Sequence, residues 1–285
     1  MKAAPDCIVC AFRQALNTAR QVSDDPAFHV RLLDRLAHCP QCFEMNQAPT
    51  ALSQPVYSAV AELSGVADPY RRVKQETNRA ALDMLDDLRR RVTESRDPLD
   101  AALHAAVAGN IIDLGIGHKF DLDKDIADLM ATPFAVNAIE RFRRELRPGL
   151  RVLYVGDNAG EIVFDRLLVE HLLAKGAKVT FVVKSGPIIN DATMDDAVTA
   201  GLAGMVPVME TGSNDIGVNW KRVSPRFARE FEQADAVIAK GHGNFETCDD
   251  RPENVYFLLK AKCEVVARQL GVNLGDLVFK SARGR

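Results

Sequence analysis

The stretch Arg151-Val-Leu-Tyr-Val-Gly-Asp-Asn-Ala-Gly-Glu-Ile-Val-Phe-Asp165 sets the architecture of this chain. Residues 152–155 are an unbroken apolar run, as expected of a strand buried on both faces of a parallel sheet. Gly156 ends the run, and Asp157 and Asn158 follow at its carboxyl edge. Ala159-Gly160-Glu161 then opens an amphipathic helix with apolar positions at Ile162, Phe164, Leu167 and Leu168. In open α/β sheets, ligands occupy the crevice outside the strand carboxyl ends. A carboxylate beside a carboxamide there supplies hard oxygen donors, which suit Mg2+, Mn2+ or a similar divalent ion. Either side chain would equally serve as a helix cap. The other strand ends separate the two readings.

Downstream, strand-like runs at 178–183, 206–209, 236–239, 255–259 and 276–279 alternate with helical segments, among them 161–175, 194–200 and 264–270. Such alternation predicts a Rossmann-like parallel sheet with crossover helices. Pro148-Gly149 marks the expected boundary between a helical amino-terminal domain, residues 1–147, and this α/β domain, residues 148–285. Gly156-Asp-Asn-Ala-Gly160 is not the G-x-G-x-x-G dinucleotide fingerprint, so NAD is not expected.

Two further strand ends resemble the first in chemistry. One leads into Lys184-Ser-Gly-Pro-Ile-Ile-Asn-Asp-Ala-Thr193, which sets a carboxylate, Asp191, just before a helix. The other ends in Lys240-Gly-His-Gly-Asn-Phe-Glu246, where Gly241 and Gly243 permit close backbone approach to a ligand and exposed N–H groups suit an anion. Lys240 is expected to neutralise phosphate charge, and Lys260 ends the following strand. Oxygen donors and lysines on one rim suit phosphoryl transfer to water: a metal polarises the phosphoryl oxygens, and cations stabilise the transition state.

The amino-terminal half carries apolar residues at helical spacing, as at Leu82, Leu85, Leu88 and Val92. Ser23-Asp-Asp-Pro26, Asp97-Pro98 and Thr132-Pro133 are expected helix starts, and Pro49 and Pro55 are expected to mark a loop. The charged run 83–91 is expected to be a solvated helix face. Gly109-Asn110-Ile-Ile-Asp113 puts polar groups inside an apolar run, with Asn110 a candidate substrate contact, since buried polar groups need partners. Asp121, Asp123 and Asp125 lack the glycine and glutamate of a calcium loop.

Six cysteines include two C-x-x-C pairs, Cys7/Cys10 and Cys39/Cys42. The spacing is open to three readings: a structural Zn2+ site of four thiolates, redox or disulfide-forming thiols, or buried inert cysteines. A net charge of −3 gives no reason to expect nucleic acid or an anionic membrane as partner. No apolar stretch approaches a membrane span, and residues 1–6 lack a signal-peptide core, so a cytoplasmic protein is expected.

The segments 156–165, 184–193 and 240–246, in that order, resemble the motif set of the damage-control phosphatases, a metal-dependent family also labelled acidic-residue methyltransferase-like. The C-x-x-C pairs and Gly109-Asn110-Ile-Ile-Asp113 are similar to its prokaryotic subfamily. The resemblance implies a helical domain on a Rossmann-like one. It also implies hydrolysis of phosphate esters of small metabolites, often damaged or surplus sugar phosphates, with Mn2+, Ni2+, Co2+ or Mg2+. It makes Asp157, Asn158 and Asp191 the metal ligands, with Asp157 or Asp191 also meeting the attacking water or the phosphate. Lys240 and the loop Gly241, His242, Gly243 and Asn244 would hold phosphate or sugar. Eukaryotic relatives add a lysine from an Arg-Thr-x-Lys motif; the comparable stretch here, Phe257-Leu-Leu-Lys260, has the lysine without the Arg-Thr. Glu161 and Asp165 match the first motif, but only Glu161 is close enough along the helix to approach the site. Two other functions fit an α/β layer with cysteines: an S-adenosylmethionine-dependent carboxyl methyltransferase, and a non-catalytic metal-binding interaction module. The first lacks a glycine-rich loop near the first strand.

Overall fold

A computed structural model describes residues 1–109 and 128–283. Asn110, Asp113 and the acidic stretch after His118 lie outside the described residues. The described part has a seven-stranded sheet: β1 (Phe134–Asn137), β2 (Arg151–Val155), β3 (Lys178–Val183), β4 (Val208–Glu210), β5 (Ala236–Lys240), β6 (Val255–Lys260) and β7 (Leu277–Ser281). Their spatial order is β1-β7-β6-β5-β2-β3-β4. Every pairing is parallel except β6–β7, which is antiparallel. The fold is therefore α/β with a mostly parallel sheet, and the last strand departs from the expected parallel run. From β2 the chain winds outward through β3 and β4, then returns to β5 on the other side of β2. That reversal places the topological switch point, where doubly wound sheets bind ligands, between β2 and β5.

The strand sequences read as two faces with period two. Val152 and Tyr154 of β2 join one apolar cluster with Phe181, Ile238, Tyr256 and Phe279. Leu153 and Val155 join the opposite cluster with Val182, Val237, Phe257 and Val278. A sheet buried on both sides needs helices on both sides. One face is covered by α4 (Arg71–Glu94), α5 (Pro98–Ala108) and α7 (Glu161–Ala174), which follow α1 (Pro5–Val22), α2 (Pro26–Ala37), α3 (Pro49–Ser64) and, after β1, α6 (Ile139–Glu145). After α8 (Met194–Thr199), the other face is covered by α9 (Pro225–Gln233), α10 (Gly241–Cys248) and α11 (Glu264–Leu270), through Phe227, Phe231, Phe245 and Val266.

Several expectations change here. Thr132-Pro133 opens the edge strand β1, not a helix, and β1 pairs with β7. Pro49 starts α3 and Pro55 lies inside it, so neither marks a loop. Residue 147 does not divide helices from sheet, because β1 and α6 precede it, and α4 and α5 share the core of β2 and α7. Among the described residues, α1, α2 and α3 keep an apolar cluster of their own, around Ala15, Leu32, Leu36 and Val60. The Asp caps hold as read: Asp25 accepts from Ala27 N at 2.9 Å, and Asp97 from Asp100 N at 3.3 Å. The charged run of α4 is laced by Asp86, Asp87 and Arg89–Arg91 pairs, and Arg89 reaches Glu170 of α7 at 3.0 Å. None of the described helices is long and apolar enough to cross a membrane.

Candidate active site

Two loops meet just beyond the carboxyl end of β2. Ala192 N donates to Asp157 O (2.8 Å), Ala159 N donates to Asn190 O (2.8 Å), and Asn158 and Asp191 form a bridge between the loops. The second loop is a tight turn closed by Asp191 N to Ile188 O (3.0 Å), with Ile189 at φ 44°. A β-branched residue in the left-handed region is strained, and such strain collects at functional sites. From the other side of the switch point Gly241, at φ 76°, presses against Asp157; a Cβ on it would lie 1.9 Å from Asp157 Oδ2. Only glycine permits that approach. Helix α4 braces the assembly from behind: Asn78 Oδ1 accepts from Gly160 N (2.6 Å), while its Nδ2 donates to Asp196 Oδ1 (2.8 Å).

Asp157, Asn158 and Asp191 thereby line one cavity of about 710 Å3. His242, Gly243 and Glu246 of α10, Lys262 and Cys263, and a wall from α1 and α3 complete it. Burial pushes Asp157 well above the usual carboxylate range, and the negative charges of Glu161 and Asp191 push it further. Burial likewise raises Asp191 to about 6, against the pull of Lys184, whose Nζ lies 3.6 Å from Asp191 Oδ2. The pocket floor thus gathers acidic and amide oxygens. That donor set fits a hard divalent cation. Among the described residues no three or more His, Cys, Asp or Glu side chains are grouped as a metal cage; the triple here counts a carboxamide as its third donor.

The remaining expected residues divide. Lys240 does not reach the cavity: it is fully buried, and its Nζ donates to Ala106 O (2.8 Å), Asp165 Oδ1 (2.7 Å) and Glu161 Oε1. Asn244 is also buried and absent from the cavity lining, and its Nδ2 ties Gly156 O (3.1 Å) to Lys240 O (2.7 Å), so it staples two loops. His242 lines the cavity with burial pushing it down to about 4; its Nε2 lies 2.9 Å from Lys260 O and 3.0 Å from Lys262 N, which ties α10 to the segment after β6. Lys260 is half-buried and absent from the lining, whereas Lys262, two residues on, lines the cavity and opposes the charge shift of Asp157. The rule that ligands sit beyond a strand end, not within it, was the signal favouring Lys262. Sequence reasoning also passed over Glu246, which burial raises to about 7.

The two C-x-x-C pairs enter different surroundings. Cys7 and Cys10 line the cavity near Cys263. Cys39 and Cys42 sit together at a short turn, with burial pushing Cys42 up to about 12. All six thiols are free.

A doubly wound α/β protein with an acidic pocket at its switch point is the class that fold and site define. The damage-control phosphatase ARMT1-like domain matches residues 3–278, and the chain belongs to that family. It is 34% identical over 288 residues to a damage-control phosphatase of Archaeoglobus fulgidus, covering 98% of this chain and 99% of that one. It is 31% identical over 282 residues to a damage-control phosphatase of Pyrococcus horikoshii, covering 98% and 97%. The crystal structure of a DUF89 family protein from Pyrococcus horikoshii superposes with a TM-score of 0.92 at 31% identity, over 99% of this chain and all of that one.

Proposed function

We propose that this protein is a metal-dependent phosphomonoester hydrolase acting on small phosphorylated metabolites, sugar phosphates or related damaged or surplus compounds. The family supports a phosphatase role on damaged metabolites. The observation that carries the finer reading is the convergence of Asp157, Asn158 and Asp191 on one cavity, with Lys262 beside them. Asp157, Asn158 and Asp191 would hold one divalent cation, Mn2+, Ni2+, Co2+ or Mg2+, which when bound supplies Lewis acidity to the phosphoryl oxygens. Lys262 would hold the phosphate and offset charge as it develops, the part first read onto Lys240 and Lys260. Gly241 makes room for the Asp157 carboxylate, Gly243 lines the same cavity, and Lys184 holds Asp191 from below.

The test is phosphate release from a panel of sugar phosphates, nucleotides and phosphorylated cofactor precursors with each metal added. Asp157→Ala and Asp191→Ala are expected to abolish release. Full activity of either at saturating metal would refute the assigned site. Tight binding of S-adenosylmethionine without metal would point to the methyltransferase.

A further inference from the structure

Lys240 occupies the position of an expected phosphate ligand, yet all three protons of its ammonium point to the protein itself. Asp165 Oδ1 accepts from both Lys240 and the hydroxyl of Tyr154, each at 2.7 Å, and all of these groups are buried. Buried clusters of this kind add little net stability, since well-packed apolar side chains often serve as well. The purpose of this one is visible at its outer end. The other oxygen of Glu161, Oε2, accepts from Asn158 Nδ2 at 3.3 Å, and the same nitrogen donates to Asp157 Oδ2 at 3.0 Å. One hydrogen-bonded line thus runs from Tyr154 in the core, through Asp165, Lys240 and Glu161, to Asn158 at the cavity.

The chemistry of that line has a direction. A carboxylate ion-paired with a buried ammonium accepts hydrogen bonds and donates none. Asn158 must therefore turn its NH2 toward Glu161, which leaves its Oδ1 for the cavity. We infer that Glu161, clamped by Lys240, is a positioning residue that makes Asn158 present oxygen, and not nitrogen, to a divalent cation. Without it the carboxamide keeps only the bond from Nδ2 to Asp157 Oδ2, an oxygen for which a bound cation competes, and a nitrogen with two protons is no ligand for a metal ion. The inference rests on reading Asp157, Asn158 and Asp191 as the cation site, and outer partners of this kind commonly tune metal affinity.

Calorimetric titration of Mn2+ into metal-free protein, with no substrate present, is the experiment. Glu161→Gln keeps the volume but offers a donor as well as an acceptor, and Mn2+ affinity is expected to fall about 10- to 100-fold. The exchange Asn158→Asp with Glu161→Gln reverses the polarity of the same hydrogen bond at constant charge. It is expected to bind Mn2+ more tightly than Asn158→Asp alone, in which two carboxylates face each other, although the single variant carries one more negative charge. A merely structural Glu161 gives the opposite order. Circular dichroism checks the fold of each variant. Where Glu161→Gln fails to fold, Glu161→Gln with Lys240→Met removes both charges and is titrated in its place, with the same loss expected. Unaltered Mn2+ affinity in folded Glu161→Gln, or in the variant titrated in its place, overturns the inference, as does an exchange that folds and binds Mn2+ no more tightly than Asn158→Asp alone. If the unaltered chain binds no divalent metal, the reading of the site itself fails and this one falls with it.

Discussion

The cavity has two walls of opposite character. Its floor, at the switch point, is locked: the loops after β2 and β3 are cross-bonded, Gly241 is wedged against Asp157, and Lys240 is sealed below. The facing wall comes from α1 and α3, which pack around their own small core and present exposed Cys10 and Arg13, together with an exposed Val9, to the same space. A charged group held on every side carries chemistry that tolerates no displacement. A side chain standing in solvent selects among ligands at low energetic stakes. Under the proposed function, reaction belongs to the floor and choice of substrate to the wall.

The sharpest way to break this contrast is to disturb the floor by one carbon. Gly241→Ala places a methyl group inside the volume of the Asp157 carboxylate, at a backbone angle that costs an alanine about 1–3 kcal/mol. Asp157 must move by about an ångström, and a displacement of that size at a reacting centre costs about a hundredfold in rate. Phosphatase activity is expected to fall at least that far while the protein still melts cooperatively. Activity within threefold of the unaltered chain, about 0.6 kcal/mol, would mean that Asp157 is not held where the reaction needs it.

The floor was largely legible in the sequence, and the reasons are local. A short apolar run ended by Gly156-Asp-Asn declares a strand end by itself, and Asp191 stands just before a helix in the same way. Which lysine meets the ligand was not legible. Lys240, Lys260 and Lys262 all flank strand ends, and only the three-dimensional packing of Glu161 and Asp165 around Lys240 removes that lysine from the site. Strand β1 escaped because four residues with alternating exposure at a sheet edge carry too little periodicity to stand out from neighbouring helices. The partners of α4 and α5 escaped for another reason: an amphipathic helix shows which face is buried, never against what.

Glu246 links the two walls. It belongs to α10, and its carboxylate takes the N–H of Thr50 at the start of α3, while burial raises it from 4.5 to about 7. An acid whose folded value is raised stabilises the fold in its neutral form. That contribution is whole below about pH 4.5 and is lost as pH climbs through about 7. The melting temperature of the unaltered chain is therefore expected to drop between about pH 5 and pH 8 more than that of Glu246→Gln. The two melting curves should converge at the acidic end and separate at the alkaline one. Parallel behaviour across the range would show that the seam between α3 and α10 is indifferent to this proton.

The smallest effect is expected on the wall. Arg13 is exposed and lines the cavity in which the proposed function places an anionic ester. An exposed charge interaction is worth about 0.2–1 kcal/mol and is screened over about 10 Å at 0.1 M salt. Arg13→Ala is accordingly expected to raise KM for a phosphate ester less than about fivefold, with kcat unchanged and with the difference fading as salt is added. If the floor holds the reacting atoms, as proposed, a wall residue acts on encounter and binding alike in the ground and transition states, which moves KM and spares kcat. A tenfold fall in kcat for Arg13→Ala, about 1.4 kcal/mol, would place the α1 wall in the reaction itself and erase the division between the two sides of the cavity.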